Sequence, residues 1–73
     1  MLEAEAGRVN ARVLEALPNA LFRVELETEV RAQLTAHASG PAALLRIHPG
    51  DGVVVELTPY DATRGRIVAR RER

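Results

Sequence analysis

The chain has 73 residues, no cysteine, and ten basic residues balanced by ten acidic ones. Without cysteine, neither a disulfide framework nor a thiolate metal site is available to stabilise so small a core, and we expect a single domain spanning residues 1–73. No apolar run approaches the roughly 20 residues of a membrane-spanning helix, and the N-terminus lacks the order of a signal peptide, so we expect a cytoplasmic protein.

The charges are unevenly distributed. Every basic residue is an arginine, and six of the ten lie from Arg46 onward, whereas glutamates gather in the first half of the chain. The zero net charge is not typical of a dedicated nucleic-acid binder. An arginine guanidinium nevertheless binds phosphate through two hydrogen bonds and stacks on bases, so the C-terminal part is the candidate for contact with a polyanion.

Five short strands are predicted, and sustained helical periodicity is absent. The first spans residues 8–15 and leads to a turn that contains Pro18 and Asn19. The second spans residues 21–26 and alternates between two faces. One face carries Phe22, Val24 and Leu26, and the other carries Leu21, Arg23 and Glu25.

The third predicted strand spans residues 30–37 and also alternates, with apolar residues on one face and polar residues on the other. After it, the sequence Ser39-Gly40-Pro41 breaks the pattern, and residues 42–47 are predicted to form a single helical turn. The apolar face consists of Val30, Ala32, Leu34 and Ala36, and the polar face of Arg31, Gln33, Thr35 and His37.

The last two strands are predicted at residues 53–57 and 64–70, after loops at residues 48–52 and 59–63 that are rich in turn formers. Five short strands with a helical turn between the third and the fourth are typical of a small closed all-β barrel, which has no exposed sheet edge. The pattern fits a small five-stranded barrel, and a small SH3-like barrel has a similar number of strands, so the pattern alone leaves the fold family open.

Four ordered blocks of sequence resemble bacterial translation initiation factor 1. They are LPNALFRVEL at residues 17–26, TAHASG at 35–40, RIHPGD at 46–51 and VELTPYDATRGRI at 55–67. The resemblance implies the oligonucleotide-binding (OB) fold and docking on the small ribosomal subunit near the decoding site, between ribosomal RNA and a ribosomal protein. It also implies that the protein blocks the aminoacyl (A) site and cooperates with the other initiation factors.

One segment departs from the family. Its members usually carry a basic cluster with an aromatic residue just after the Ser-Gly pair, whereas here residues 41–47 read PAALLRI and keep only Arg46. Each lost phosphate contact weakens RNA binding and lowers its salt dependence by about one unit of slope. The sequence is therefore identified as a diverged member of the family, with weaker RNA contacts.

Arginines of the fifth strand are the leading candidates for RNA contact. Arg64, Arg66 and Arg70 are predicted to alternate and to share one solvent-facing side, where such side chains meet phosphates, although a simple solvated surface is the alternative. Arg71 adds nonspecific attraction or belongs to a mobile tail. With the residues that match the family motifs, the predicted RNA-binding set is Arg23, His37, Ser39, Arg46, Arg64, Arg66, Arg70 and Arg71.

Catalysis is not expected. His37, Ser39 and Asp51 lack a glycine-flanked nucleophile turn or a second acid, and two isolated histidines do not suggest a metal site, so no cofactor is predicted. The only aromatic residues, Phe22 and Tyr60, are predicted to pack rather than to stack on bases.

Two other functions remain open for a protein that we expect to be a monomer. A general RNA-binding or RNA-chaperone protein of the same fold would explain the missing basic cluster. A protein-interaction module would use the apolar residues 41–45 and the acidic hairpin at residues 25–29.

Overall fold

The structure is a computed structural model that describes residues 7–29, 31–38, 40, 44–58 and 61–71, the side chains of 61 and 62 excepted. It contains five strands that form a closed barrel in the order β1-β2-β3-β5-β4. Neighbouring strands are antiparallel, except that β3 and β5 are parallel. This is the predicted OB fold rather than an SH3-like barrel. The strands are β1 (Arg8–Leu17), β2 (Leu21–Leu26), β3 (Gln33–Ala38), β4 (Gly52–Thr58) and β5 (Asp61–Arg70).

The core is built from the inward-facing residues of all five strands, because side chains alternate between the two sides of a strand, and from Ile47 in the segment before β4. Most are valine, alanine or isoleucine, which fill a narrow barrel, and Phe22 packs against them from one side. Within the described residues, no polar or charged side chain is buried. The buried residues are Ala11, Val13, Val24, Leu26, Leu34, Ala36, Ala38, Ile47, Val53, Val55 and Ile67.

The first hairpin is tighter than predicted. Strand β1 continues to Leu17, which pairs with Leu21, so that only residues 18–20 connect the two strands. Asn19 and Ala20 both have a positive φ, 66° and 60°. Asparagine tolerates this left-handed conformation better than most residues, whereas alanine is strained by its Cβ.

Strand β3 begins later than predicted, at Gln33, and ends at Ala38. The pairing of β2 with β3 starts at Glu25 and Gln33, so residues 31 and 32 belong to the connection, and Ala32 is exposed instead of facing inward. The prediction for Val30 lies outside the described residues.

The predicted helical turn at residues 42–47 is correct only in part. Leu44 lies in a 3₁₀ turn, Gly40 has a left-handed φ of 60°, and residues 41–43 lie outside the described residues. Residues 45–47 are not helical, and Ile47 enters the core. Leu44, in contrast, is 87% exposed.

Strand β5 begins at Asp61, before the predicted start at residue 64, and contains a β-bulge. Val54 pairs with Ala69 and Val55 pairs with Ile67, so Val68 is the extra residue. A bulge shifts the alternation of side chains by one residue.

Candidate nucleic-acid interface

The register of the barrel brings four of the predicted RNA-binding residues together. Arg23 of β2 lies opposite Thr35 of β3, which lies opposite Arg64 of β5. Paired residues of neighbouring strands project from the same side of a sheet, and neighbouring strands are about 4.8 Å apart. The Cα atoms of Arg23 and Arg64, two strands apart, are therefore separated by about 10 Å.

The next row of the sheet adds the other two residues. His37 of β3 lies between Leu21 of β2 and Arg66 of β5. The residues that precede Arg66 and His37, Gly65 and Ala36, are buried, so the rows themselves face outward. We call this outward side of β2, β3 and β5, with Arg23, His37, Arg64 and Arg66, the arginine face.

A shallow cleft of about 260 Å³ opens on the arginine face. Leu21 contributes an apolar side chain, and the polar side chains around the cleft carry hydroxyl, imidazole and guanidinium groups. These groups can hydrogen-bond to phosphate or to the edge of a base. In OB folds, the same strands, the second and the third, form the surface that holds oligonucleotides. The cleft is lined by Leu21, Thr35, His37, Thr63, Arg64 and Gly65.

A glutamate that the sequence did not suggest as important lies beside this face. Glu56 of β4 accepts a hydrogen bond from the Arg66 guanidinium, and its Oε2 atom is 3.7 Å from Nε of Arg8. The hydrogen bond from Arg66 is the main reason why the pKa of Glu56 is lowered, with the charges of Arg66 and Arg8 acting in the same direction. The carboxylate is therefore ionised at neutral pH and occupies part of the hydrogen-bonding capacity of Arg66.

Arg23 has a looser partner. Its Nε atom is 3.7 Å from Oε1 of Glu15, the residue opposite it on β1, and its side chain is 46% exposed. Exposed pairs of this kind contribute only about 0–1 kcal/mol to stability. The guanidinium of Arg23 is therefore accessible to a phosphate at little cost.

Arg70 does not share the side of Arg64 and Arg66, so the prediction of one common face is wrong for this residue. Because of the bulge at Val68, Arg70 pairs with Val53, whose side chain is buried. Its Nη1 atom instead donates to the carbonyl of Arg46 at 2.7 Å, which joins the end of β5 to the segment before β4.

Arg71 contacts the barrel through both its backbone and its side chain. Its backbone N–H donates to the carbonyl of Gly52 at 2.8 Å, and its Nη1 atom is 3.1 Å from Oε1 of Glu27. The other oxygen of Glu27 accepts a hydrogen bond of 2.9 Å from Arg12, which also donates to the carbonyl of Gly50. One carboxylate thus joins β1, the β2–β3 connection and the end of β5.

Two residues of the predicted RNA-binding set remain. Arg46 is exposed, and Ser39 lies outside the described residues. The carboxylate of Asp51 accepts a hydrogen bond of 2.8 Å from the backbone N–H of His48. In the part of the chain that the structure describes, no three metal-ligating side chains cluster, and no helix is long and apolar enough to cross a membrane.

Comparison with known proteins is decisive for the family. No family model matches the sequence. The solution structure of translation initiation factor 1 from the Wolbachia endosymbiont strain TRS of Brugia malayi matches with a TM-score of 0.69 and 35% sequence identity, over 99% of this chain and 90% of that one. The chain belongs to the translation initiation factor 1 family. The predicted resemblance is therefore confirmed.

The same fold also occurs inside a longer protein. The crystal structure of YjeQ from Thermotoga maritima matches this initiation factor 1 family chain with a TM-score of 0.71 and 28% identity, over 90% of this chain but only 23% of YjeQ. That similarity concerns one segment of YjeQ, so the family assignment depends on the match to initiation factor 1, which extends over nearly the whole of both chains.

Proposed function

We propose that this member of the initiation factor 1 family acts in translation initiation in the cytoplasm, where it binds the small ribosomal subunit near the decoding site together with other initiation factors. Ribosomal RNA would be held by the arginine face, with phosphates at Arg23, Arg64 and Arg66. The observation that carries the proposal is the strand register, which collects cationic and hydrogen-bonding side chains from three strands on the surface that OB folds use for oligonucleotides.

The chemistry of the face favours RNA with a defined shape over a flexible single strand. Proteins that hold single strands stack bases on exposed aromatic rings, each worth about 1–3 kcal/mol. On the described part of this surface there is no aromatic ring, because Phe22 packs against the core. Guanidinium, hydroxyl and imidazole groups instead contact the backbone and 2′-hydroxyls, whose positions are fixed in folded RNA.

Co-sedimentation with purified small subunits at graded salt tests the proposal. Wild-type protein should sediment with the subunits, and Arg23→Ala and Arg64→Ala should each weaken binding and lower its salt slope by about 0.7–0.9, the value for one phosphate contact. In the wild-type protein, each such contact makes the affinity fall by an additional factor of roughly three when the salt concentration rises from about 50 to about 200 mM.

Arg31→Ala is the matched control. Arg31 is exposed in the β2–β3 connection and its removal changes the net charge equally, but it lies outside the arginine face. Its salt slope should stay at the wild-type value. Absence of co-sedimentation even at low salt, with and without the other initiation factors, would refute the proposed function.

A general RNA-binding protein is the second candidate, favoured by the state of the arginines. Arg66 is bonded to Glu56, Arg23 lies beside Glu15, and Arg70 and Arg71 are used in contacts within the barrel. Fewer cations are thus available for RNA than the sequence indicates. This candidate predicts similar affinity for small subunits and for unrelated single-stranded RNA, so a competition experiment between the two separates it from the first.

A further inference from the structure

Glu56 interrupts the positive charge of the RNA-binding surface. In the barrel it lies in one row between Arg8 of β1 and Arg66 of β5, facing outward with a side chain that is 32% exposed. An acidic residue at this place does not help to bind a polyanion, and the surface pairs it forms add little to stability. Its position therefore suggests a role in choosing the RNA.

We propose that Glu56 is a specificity-determining residue, which suppresses binding of unrelated RNA by competing with phosphate for Arg66. The inference rests on the proposed function, because it requires the arginine face to be the surface that contacts RNA. It concerns a different property, namely how strongly the protein discriminates between structured ribosomal RNA and any other RNA.

The competition follows from the geometry of the pair. A phosphate that approaches Arg66 must displace the carboxylate or share the guanidinium with it, and it is repelled by the negative charge of Glu56. When a flexible RNA strand binds Arg66, one new contact forms and the contact between Arg66 and Glu56 breaks. The exchange is therefore close to neutral in free energy.

A shaped RNA has an advantage that a flexible strand lacks. It contacts Arg23, Arg64 and the cleft at the same time, and it can present a 2′-hydroxyl or an amino group as a donor to the carboxylate. Penalising the wrong partner in this way is a general route to specificity.

Glu56→Gln tests the inference, because glutamine keeps the size of the side chain and removes its charge. Binding of a uridine homopolymer is measured by fluorescence anisotropy at graded salt, and binding of small subunits by co-sedimentation. We expect the variant to bind the homopolymer about two- to fivefold more tightly, which corresponds to the release of one surface ion pair, with a salt slope steeper by about 0.7. The gain on small subunits should be smaller, so that the ratio of the two affinities falls.

Glu29→Gln is the control for net charge. Glu29 is exposed in the β2–β3 connection, away from the arginine face, and its neutralisation changes the total charge by the same amount. We expect a smaller gain than for Glu56→Gln and an unchanged slope. If the two variants bind the homopolymer equally well, only long-range charge matters and the inference is refuted.

A double-mutant cycle isolates the pair of side chains. In the Arg66→Ala background, Glu56→Gln should lose most of its effect on the homopolymer. If the full gain persists, Glu56 does not act through Arg66, and if subunits and homopolymer gain equally, it does not act on specificity. Failure of the wild-type protein to sediment with subunits would refute the proposed function instead, and the homopolymer measurements would still decide whether Glu56 competes for Arg66.

Discussion

Replacing Gly65 with alanine tests how closely the barrel is packed beneath the arginine face. Gly65 is buried in β5 between Arg64 and Arg66. A Cβ atom at this position would lie 2.6 Å from Cγ1 of Val55 and 3.3 Å from both the carbonyl oxygen of Glu56 and a methyl group of Leu34. Real Cβ atoms do not approach other atoms to 2.6 Å, so β5 or its neighbours must shift.

The expected loss combines two opposing effects. Adding a methyl group to a packed core costs about 1–3 kcal/mol. Alanine also lowers the entropy of the unfolded chain, which returns about 0.4–1 kcal/mol. With the middle of each range, about 2 kcal/mol lost and about 0.7 kcal/mol returned, the free energy of unfolding should fall by about 1.3 kcal/mol, and for a domain of this size the melting temperature should fall by about 5–10 °C.

Gly52→Ala provides the matched control. A Cβ atom there would also meet an atom at 2.6 Å, but that atom is the guanidinium Nη2 of Arg71, at the end of a flexible side chain that can rotate away. The loss is limited to the pair of Arg71 with Glu27, about 0–1 kcal/mol, and the entropic gain offsets it. Its free energy of unfolding should stay within about 1 kcal/mol of wild type.

Urea and thermal denaturation followed by circular dichroism measure both variants. RNA affinity measured well below the melting temperature adds a second readout, because a shift of β5 also moves Arg64 and Arg66. We expect Gly65→Ala to lose stability and affinity together, while Gly52→Ala keeps both. Equal melting temperatures for the two variants would show that the barrel absorbs a methyl group beneath the arginine face without strain.

Three further predictions concern single contacts. Ala20→Gly should raise the free energy of unfolding by about 0.5–1 kcal/mol in urea denaturation, because glycine removes the strain at φ 60°. This value already includes the opposing effect of glycine, which increases the entropy of the unfolded chain. Arg70→Ala should lower the free energy of unfolding by about 0.5–1.5 kcal/mol, because the hydrogen bond to the Arg46 carbonyl is lost. The salt slope of RNA binding should stay unchanged, and a lower slope would place Arg70 in the interface. The pKa of Glu56 is lowered in the folded protein, so its stabilising contribution is fully present above the ordinary glutamate pKa of about 4.3 and is lost as the pH falls through the lowered value. The difference in urea midpoint between wild type and Glu56→Gln should therefore vanish in acid, and a difference that grows in acid would contradict this.

Predictions from the sequence were most accurate where alternation was uninterrupted. Strand β2 has the predicted bounds and the predicted inward residues Val24 and Leu26, because a period of two is a strong signal when one side is buried. The same signal extended β3 too far, since Val30 and Ala32 continue the alternation although the ladder with β2 begins only at Gln33. Alternation indicates which residues are able to form a strand, whereas pairing decides where the strand begins.

The β-bulge and the contacts between side chains of neighbouring strands could not be predicted from the sequence. The bulge at Val68 inserts a single residue without any glycine or proline to mark it, and it moves Arg70 away from the side of Arg64 and Arg66. The distribution of charges along the sequence also did not predict which charges lie side by side on the surface. It separates an acidic half from a basic half, but the barrel places Glu56 directly beside Arg66, and this contact depends on the register of β4 and β5.

The parallel pairing of β3 with β5 also determines when the arginine face forms during folding. Thr35 and Arg64 come from opposite halves of the chain, and no hairpin joins their strands. Contacts between distant parts of a chain form slowly, because closing the chain between them costs conformational entropy before the contacts stabilise it. A partly folded barrel that has only its hairpins would lack the paired rows of Arg64 with Thr35 and Arg66 with His37. The arginine face is thus completed only when a long-range strand pairing forms, and partial unfolding of β5 alone would separate Arg64 and Arg66 from Arg23 and His37.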